Sequence, residues 1–171
     1  AKLIKLLKIV MLVLASSVVA VLVFRASQSQ RGEPLAVWHT YAPAELTAKE
    51  LAKIGWDDYL AAEQKIFESV RLNVTEKLAP EHQVSSNRYY SGSPIYPGKF
   101  ATDWNRSYTL EPAGTPVGAV VFLHGLTDSP YSLRHFARLY RAHGFVAVAF
   151  RLPGHGTLPA GLTNVEWEDW V

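Results

Sequence analysis

Residues 119–130 read AVVFLHGLTDSP, an apolar run that stops at a His-Gly pair and then turns into a new pattern. The run AVVFL is rich in β-branched residues and has no polar position, which predicts a strand buried on both faces of a parallel sheet. Gly125 lacks a Cβ, so we expect the backbone to turn sharply there and to leave the following N–H groups in a cleft. Ser129 and Pro130 suit the cap and the first position of a helix.

The residues after this turn complete a strand, helix, strand unit. The apolar stripe of the predicted helix consists of Tyr131, Leu133, Phe136, Ala137, Leu139 and Tyr140, and Gly144 ends the pattern. A second apolar run, FVAVAF at residues 145–150, follows at once. Such a connection joins parallel strands, so the sequence predicts a βαβ unit of an α/β domain.

Three motifs in this order carry a resemblance to a known family. They are HGLTDSP at residues 124–130, RLPGHG at residues 151–156 and a Trp-rich acidic segment at residues 167–170. Together they resemble the amino-terminal part of the α/β-hydrolase fold, nearest to bacterial carboxylesterases and monoacylglycerol lipases, over residues 108–171. The resemblance implies a serine hydrolase acting on carboxylic esters, with a G-x-S-x-G nucleophile elbow and a triad of Ser, Asp or Glu, and His.

The same resemblance implies an oxyanion loop. Its catalytic donor would be the backbone N–H of Leu126, with His124, Gly125 and Thr127 forming the rest of the loop. We expect His124 to bond to loop backbone instead of acting as the triad base, His155 to be a turn residue, and the Leu126 side chain to shape an acyl pocket. Thr127 favours serine ester hydrolysis, because epoxide hydrolases and dehalogenases of this fold usually carry Pro at that position.

The chain contains no G-x-S-x-G, so neither the nucleophile nor the triad Asp and His can be assigned within it. It begins at Ala1 and ends in mid-pattern at Val171, which indicates a truncated amino-terminal fragment. We expect the fragment itself to be inactive, with an open sheet edge. Two alternatives remain for the parent protein: a non-catalytic, membrane-tethered binding module, or another hydrolase of this fold such as a thioesterase, amidase or epoxide hydrolase.

The amino terminus predicts a membrane segment. Three lysines precede an uncharged apolar run at residues 9–24, and snorkelling of Lys8 would let residues 6–24 span the bilayer. Residues 1–25 are therefore a transmembrane anchor in the bacterial inner membrane, or alternatively a cleaved signal peptide. The excess of positive charge before the span predicts a cytoplasmic amino terminus and a periplasmic or extracellular catalytic part.

The remaining chain divides into three predicted parts. They are a linker at residues 26–44, a helical extension with a long loop at 45–106, and the truncated hydrolase part at 107–171. The extension carries a capping box at residues 47–50 and an amphipathic helix after Gly55 that would pack on the hydrolase core. The predicted polar face of this helix carries Asp57, Asp58, Glu63 and Glu68.

Composition restricts the partners. The net charge of +2 comes from interspersed acidic and basic residues, which argues against nucleic-acid binding. The chain has no cysteine and no histidines at metal-ligand spacing, so we assign neither a disulfide, a metal nor a cofactor. The predicted partners are the membrane and a small ester substrate. The membrane anchor is the feature that would favour a lipid-like ester.

Overall fold

The computed structural model describes residues 2–32 and 34–170, so the predictions for Ala1, Glu33 and Val171 lie outside the described residues. The chain divides into two compact units, Ala1–Leu35 and Ala36–Val171. Its helices are α1 (Lys2–Gln30), α2 (Val37–Thr40), α3 (Ala48–Leu51), α4 (Trp56–Asn73) and α5 (Arg134–Ala142). Its strands are β1 (Tyr108–Leu110), β2 (Gly118–Leu123) and β3 (Phe145–Phe150).

α1 covers the apolar run at the amino terminus. With a mean hydropathy of 2.7 over its most apolar window, it is long and apolar enough to cross a membrane. Length and composition of this kind fit either a membrane anchor or a signal sequence. The helix continues to Gln30, past the predicted boundary at residue 25, because no residue that breaks a helix occurs before Gly32.

The sheet of the second unit has the strand order β1-β3-β2. β2 and β3 are parallel, with Val120 paired to Ala147, and α5 connects them, so the predicted βαβ unit is confirmed. β1 pairs antiparallel with β3, and Thr109 lies opposite Val148. The two strands that adjoin in sequence, β1 and β2, therefore lie on opposite sides of β3.

The prediction that β2 is buried on both faces is wrong for the described residues. Exposure alternates along the strand, and Val121 and Leu123 are 64% and 62% exposed. On the other face, Phe122 meets Tyr140 of α5 edge-on, with ring centroids 5.6 Å apart. Because α5 covers only one face of β2, the Val121 face remains open to solvent.

The apolar stripe predicted for α5 is also mostly exposed. Pro130–Leu133 form a 3-10 turn, so the α-helix begins at Arg134, and Ala137 is its one buried residue. Phe136 and Leu139 are 59% and 52% exposed. Periodicity located the helix, but the described residues bury little of its stripe.

Ser129 precedes the 3-10 turn without capping it through its side chain. Its hydroxyl instead donates to Asn105 Oδ1 at 3.1 Å, and its N–H donates to Asp128 Oδ1 at 2.7 Å. The predicted capping role is wrong, because Asn105 offers the hydroxyl an acceptor from a distant loop. Pro130 occupies the first position of the turn, as expected.

α4 begins after Gly55 and packs as an amphipathic helix, as predicted. Its Tyr59 ring lies 4.7 Å from the ring of Phe150, on the face of β3 opposite α5. Near the carboxyl end of α4, a hydrophobic cluster joins Val70, Val74 and Leu158. The helical extension is therefore part of the core that holds the sheet.

The predicted capping box at residues 47–50 is confirmed. The Thr47 N–H donates to the Glu50 carboxylate at 2.9 Å, and α3 starts at the next residue. The Ala48 N–H donates to Asp169 Oδ1 at 3.2 Å. This bond joins the extension to the Trp-rich segment near the carboxyl end.

Candidate functional site

The loop after β2 makes a tight turn beside the end of the sheet. The Asp128 N–H donates to the Gly125 carbonyl at 3.2 Å, which closes the turn. Thr127 has φ +64°, a left-handed conformation that costs a residue with a side chain about 1–3 kcal/mol. The expected sharp turn is present, but its positive φ falls on Thr127 and not on Gly125, where a Cβ would meet no atom within 4 Å.

Unused backbone donors line this turn. The N–H groups of Gly125, Leu126 and Thr127 donate no hydrogen bond to any residue that the structure describes. All three residues are exposed, and the Leu126 side chain is 69% exposed. Such a run of free amide donors can stabilise negative charge that develops on an oxygen atom.

His124 connects this loop to the loop after β3. Its Nε2 must accept the hydrogen bond that the Leu152 N–H donates at 3.1 Å, so its Nδ1 carries the proton and donates to the Gly125 carbonyl at 3.0 Å. Burial lowers the pKa of His124, which favours this neutral form. The predicted bonding of His124 to loop backbone is confirmed, and both ring nitrogens are occupied.

The RLPGHG segment forms the opposing loop. Gly154 and Gly156 have φ of +78° and +72°, and a Cβ on Gly156 would lie 2.7 Å from the Asn105 carbonyl oxygen. His155 between them is a buried turn residue, as expected, and its Nδ1 donates to the Pro153 carbonyl at 2.9 Å. Its Nε2 is buried without a partner among the described residues.

A cavity of about 580 Å³, the loop cavity, lies between the two loops. Its volume is in the range of sites that hold small molecules. The lining includes Tyr89, Thr127, Ser129, His155, Thr157 and Leu162. The hydroxyl of Thr157, like Nε2 of His155, is buried and unpartnered within the described part of the chain. The Leu126 side chain does not line this cavity, so its predicted role in an acyl pocket has no counterpart here.

Sequence reasoning missed a buried ionic network beneath this cavity. The Arg151 guanidinium, 1% exposed, forms a bidentate pair with Glu45 at 2.9 and 2.8 Å and a second pair with Glu63 at 3.1 Å. The same guanidinium donates to the His155 carbonyl at 2.9 Å. Arg151 therefore ties the helical extension to the turn that carries His155.

Neutral groups complete the network. The Tyr59 hydroxyl donates to the Arg151 carbonyl at 2.8 Å, and Ser107 Oγ accepts from the Arg151 N–H at 2.8 Å while donating to Glu63 at 2.8 Å. Burial raises the pKa of the Tyr59 phenol. Burial alone would lower the pKa of Arg151, but the bonds from Glu45 outweigh it and raise that pKa, so the guanidinium stays charged.

One sequence signal could have indicated this network. Glu63, predicted on the polar face of α4, is 2% exposed, so that placement is wrong. Its position is four residues after Tyr59 and seven before Val70, which is the spacing of the buried stripe. A carboxylate in an apolar stripe requires a buried cation, and Arg151 directly follows the apolar run of β3.

A curated lipase and a solved structure are similar to part of this chain. No protein-family model matches the chain. A thermostable monoacylglycerol lipase from Bacillus sp. (strain H-257) is 39% identical over 56 residues, which cover 33% of this chain and 22% of the lipase. A structure described under LipS and LipT, two metagenome-derived lipolytic enzymes, shares 33% identity over 39% of this chain and 26% of its own, with a TM-score of 0.34.

The chain thus spans about a fifth of the length of the curated lipase that it matches. Its similarity to that lipase, over a third of the chain, suggests a distant relation to the α/β-hydrolases.

Proposed function

We propose that this chain is the amino-terminal part of a hydrolase that cleaves carboxylic esters. The observation that carries the proposal is the exposed turn after β2. Its consecutive N–H groups have no acceptor among the described residues, and His124 ties the loop to the Leu152 N–H. An ester carbonyl becomes an oxyanion when a nucleophile attacks it, and such preformed donors stabilise that charge. In this proposal, the Leu126 N–H is one donor of the oxyanion hole.

The nucleophile and its base lie outside this chain in the proposal. Ser129 donates its hydroxyl proton to Asn105 and Ser132 donates to Asp128, so neither hydroxyl is paired with a histidine that could remove its proton. His124 is unsuited to act as the base, because both of its ring nitrogens are held by backbone groups. The chain would supply the oxyanion loop and one wall of the site.

For the substrate, we propose an ester with an acyl chain, in line with the name of the matched monoacylglycerol lipase. The loop cavity supports this class, because Leu158, Pro159 and Leu162 give it an apolar wall. α1 would anchor the enzyme in the bacterial inner membrane, with the lysines before the span on the cytoplasmic side. The catalytic part would then face the periplasm or the exterior.

The test uses the natural protein that contains this chain. Leu126→Pro removes the proposed donor, and Leu126→Ala is the matched control that keeps the N–H but shortens the side chain. We expect Leu126→Pro to lower kcat for a medium-chain ester about 10²- to 10³-fold and Leu126→Ala to change kcat much less. Circular dichroism of both variants checks that they remain folded.

Labelling by a fluorophosphonate probe provides the second measurement. A serine hydrolase reacts with this probe, whereas a tethered binding module does not. Absence of both labelling and ester cleavage in the natural protein would overturn the proposal and favour the binding module. Cleavage of thioesters or amides in preference to esters would retain the hydrolase but replace its substrate class.

A further inference from the structure

A second cavity, separate in chemistry from the loop cavity, lies between the long loop and the start of α5. We call it the arginine groove. It has a volume of about 650 Å³, within the range of sites that bind small molecules. Its principal lining residues are Arg88, Phe100, Trp104, Tyr131, Arg134 and Arg138. Three cations therefore surround a groove with an aromatic floor.

The positive charge of this groove is uncompensated. None of Arg88, Arg134 and Arg138 forms an ion pair within residues 2–32 and 34–170. The acidic side chain on the wall, Asp103, is already paired with Arg106 at 3.3 Å. Arginine remains charged at any physiological pH, so the groove favours an anion.

Stacking orients the guanidinium groups without neutralising them. Arg134 lies 3.6 Å above the Tyr131 ring and Arg138 lies 4.8 Å from the Trp104 ring. One guanidinium nitrogen of Arg134 donates to the Tyr131 carbonyl at 2.6 Å. Arg138 and Arg88 donate no side-chain hydrogen bond to any described residue, so their forked donors are available to a ligand. Such forks match the geometry of a phosphate group.

The groove also presents apolar surface to solvent. Ile95 and Phe100, which line it, are 50% and 58% exposed, and Tyr131 is 48% exposed. A simple inorganic anion would leave this surface wet. An anion joined to hydrocarbon would cover the apolar floor and neutralise the rim together.

We propose that the arginine groove binds the phosphate headgroup of an anionic phospholipid, with the glycerol and the first acyl carbons on the aromatic floor. The positive charge of the groove favours an anion, and its exposed aromatic surface favours a ligand that also carries hydrocarbon. The proposal needs no ester hydrolysis, and it rests on the proposed function only in placing the chain at a membrane through α1. Arg134 and Arg138 line the arginine groove and not the loop cavity, whereas Arg88 lines both.

The test measures hydrogen exchange of backbone amides in the full chain, reconstituted in nanodiscs of phosphatidylcholine with increasing fractions of phosphatidylglycerol. We expect amides of residues 97–104 and 131–138 to exchange more slowly as phosphatidylglycerol increases. Arg138→Gln should raise the lipid fraction needed for half-maximal protection about fivefold, and Arg88→Gln/Arg138→Gln should raise it further.

The matched control removes the same amount of charge elsewhere. Arg141 lies on the same helix but does not line the groove, and Lys65 is exposed on α4. Arg141→Gln/Lys65→Gln should leave the protection unchanged. If this control abolishes protection equally, attraction is unspecific and the site is refuted.

Two further outcomes would also overturn the assignment. Equal exchange in the two lipids would show that no headgroup binds. If glycerol phosphate added to phosphatidylcholine nanodiscs protects the same amides as fully as phosphatidylglycerol does, the groove is a site for a soluble phosphate and not for lipid. Because the readout is exchange and not catalysis, failure of this site leaves the ester-hydrolase proposal intact.

Discussion

Two regions around the small sheet are covered very differently. Where α4 meets β3, charged groups are buried and partnered, and Arg151 and Glu63 are 1% and 2% exposed. At β2 and on the outer surface of α5, large apolar side chains such as Leu123 and Phe136 are 62% and 59% exposed. Charged side chains are thus buried in the first region, and large apolar side chains are exposed in the second.

Burial in these two regions therefore follows the packing of the helical extension and not the polarity of each residue. α4 and its flanking residues cover the β3 side so completely that a cation had to be matched with two carboxylates. The Val121 face of β2 and the exposed residues of α5 have no such cover among the described residues. In the proposed parent hydrolase, further sheet and helices would pack against these apolar faces.

The sharpest way to test this contrast is to remove the buried cation. Arg151→Met leaves the buried carboxylates of Glu45 and Glu63 without a cation, so we expect the free energy of unfolding to fall by about 3–5 kcal/mol. Denaturant unfolding of the full chain in neutral detergent, followed by tryptophan fluorescence, measures the change. Arg71→Met is the control, because the pairs of Arg71 with Glu68 and Glu76 are exposed and solvent screening leaves them little effect on stability. Equal losses in the two variants would contradict the contrast.

A smaller effect is expected from the turn that the network supports. Gly156→Ala would force a side chain into a left-handed conformation and against the Asn105 carbonyl, so we expect a loss of about 1–3 kcal/mol by the same unfolding measurement. At Gly114, an added Cβ meets nothing within 4 Å and no positive φ is needed. Gly114→Ala should therefore be neutral to within about 0.5 kcal/mol. A neutral Gly156→Ala would show that the two loops are not held together as tightly as their contacts indicate.

The smallest effect is expected on the open side. Phe136→Gln removes an exposed ring, so the free energy of unfolding should change by no more than about 0.5 kcal/mol. Its neighbour Ala137 is fully buried, and Ala137→Gln should cost about 1–3 kcal/mol through overpacking. In the natural protein, a much larger loss from Phe136→Gln would indicate that other residues cover α5. The same large loss in this chain alone would disprove the description of α5 as exposed.

The predictions that succeeded depended on neighbours along the chain. The α4 and α5 helices, the parallel β2 and β3 strands and the capping box at residues 47–50 follow from spacing that the backbone itself imposes. The His124 bond to Gly125 is also local, since these residues adjoin. The turn after β2 has N–H groups without an acceptor among the described residues, and their use as an oxyanion hole stays a prediction.

The predictions that failed depended on distant residues. Arg151 and Glu45 are 106 positions apart, and nothing in the neighbourhood of either residue specifies the pair. Ser129 was expected to cap a helix, but Asn105 supplies its acceptor across 24 positions. The arginine groove likewise lies between a loop and a helix, and no local sequence pattern predicts that these two segments meet.

Taken alone, the sequence specified which segments form strands, helices and turns, because hydrogen-bond periodicity, glycine conformations and caps act over a few residues. It also determined that a run of loop amides would follow His124. The folded structure was needed to identify which faces are buried, which cation neutralises Glu63 and which arginines form no ion pair among the described residues. Burial and ion pairing depend on what packs against a residue from elsewhere in the chain, and desolvation is expensive enough that those distant contacts decide the outcome.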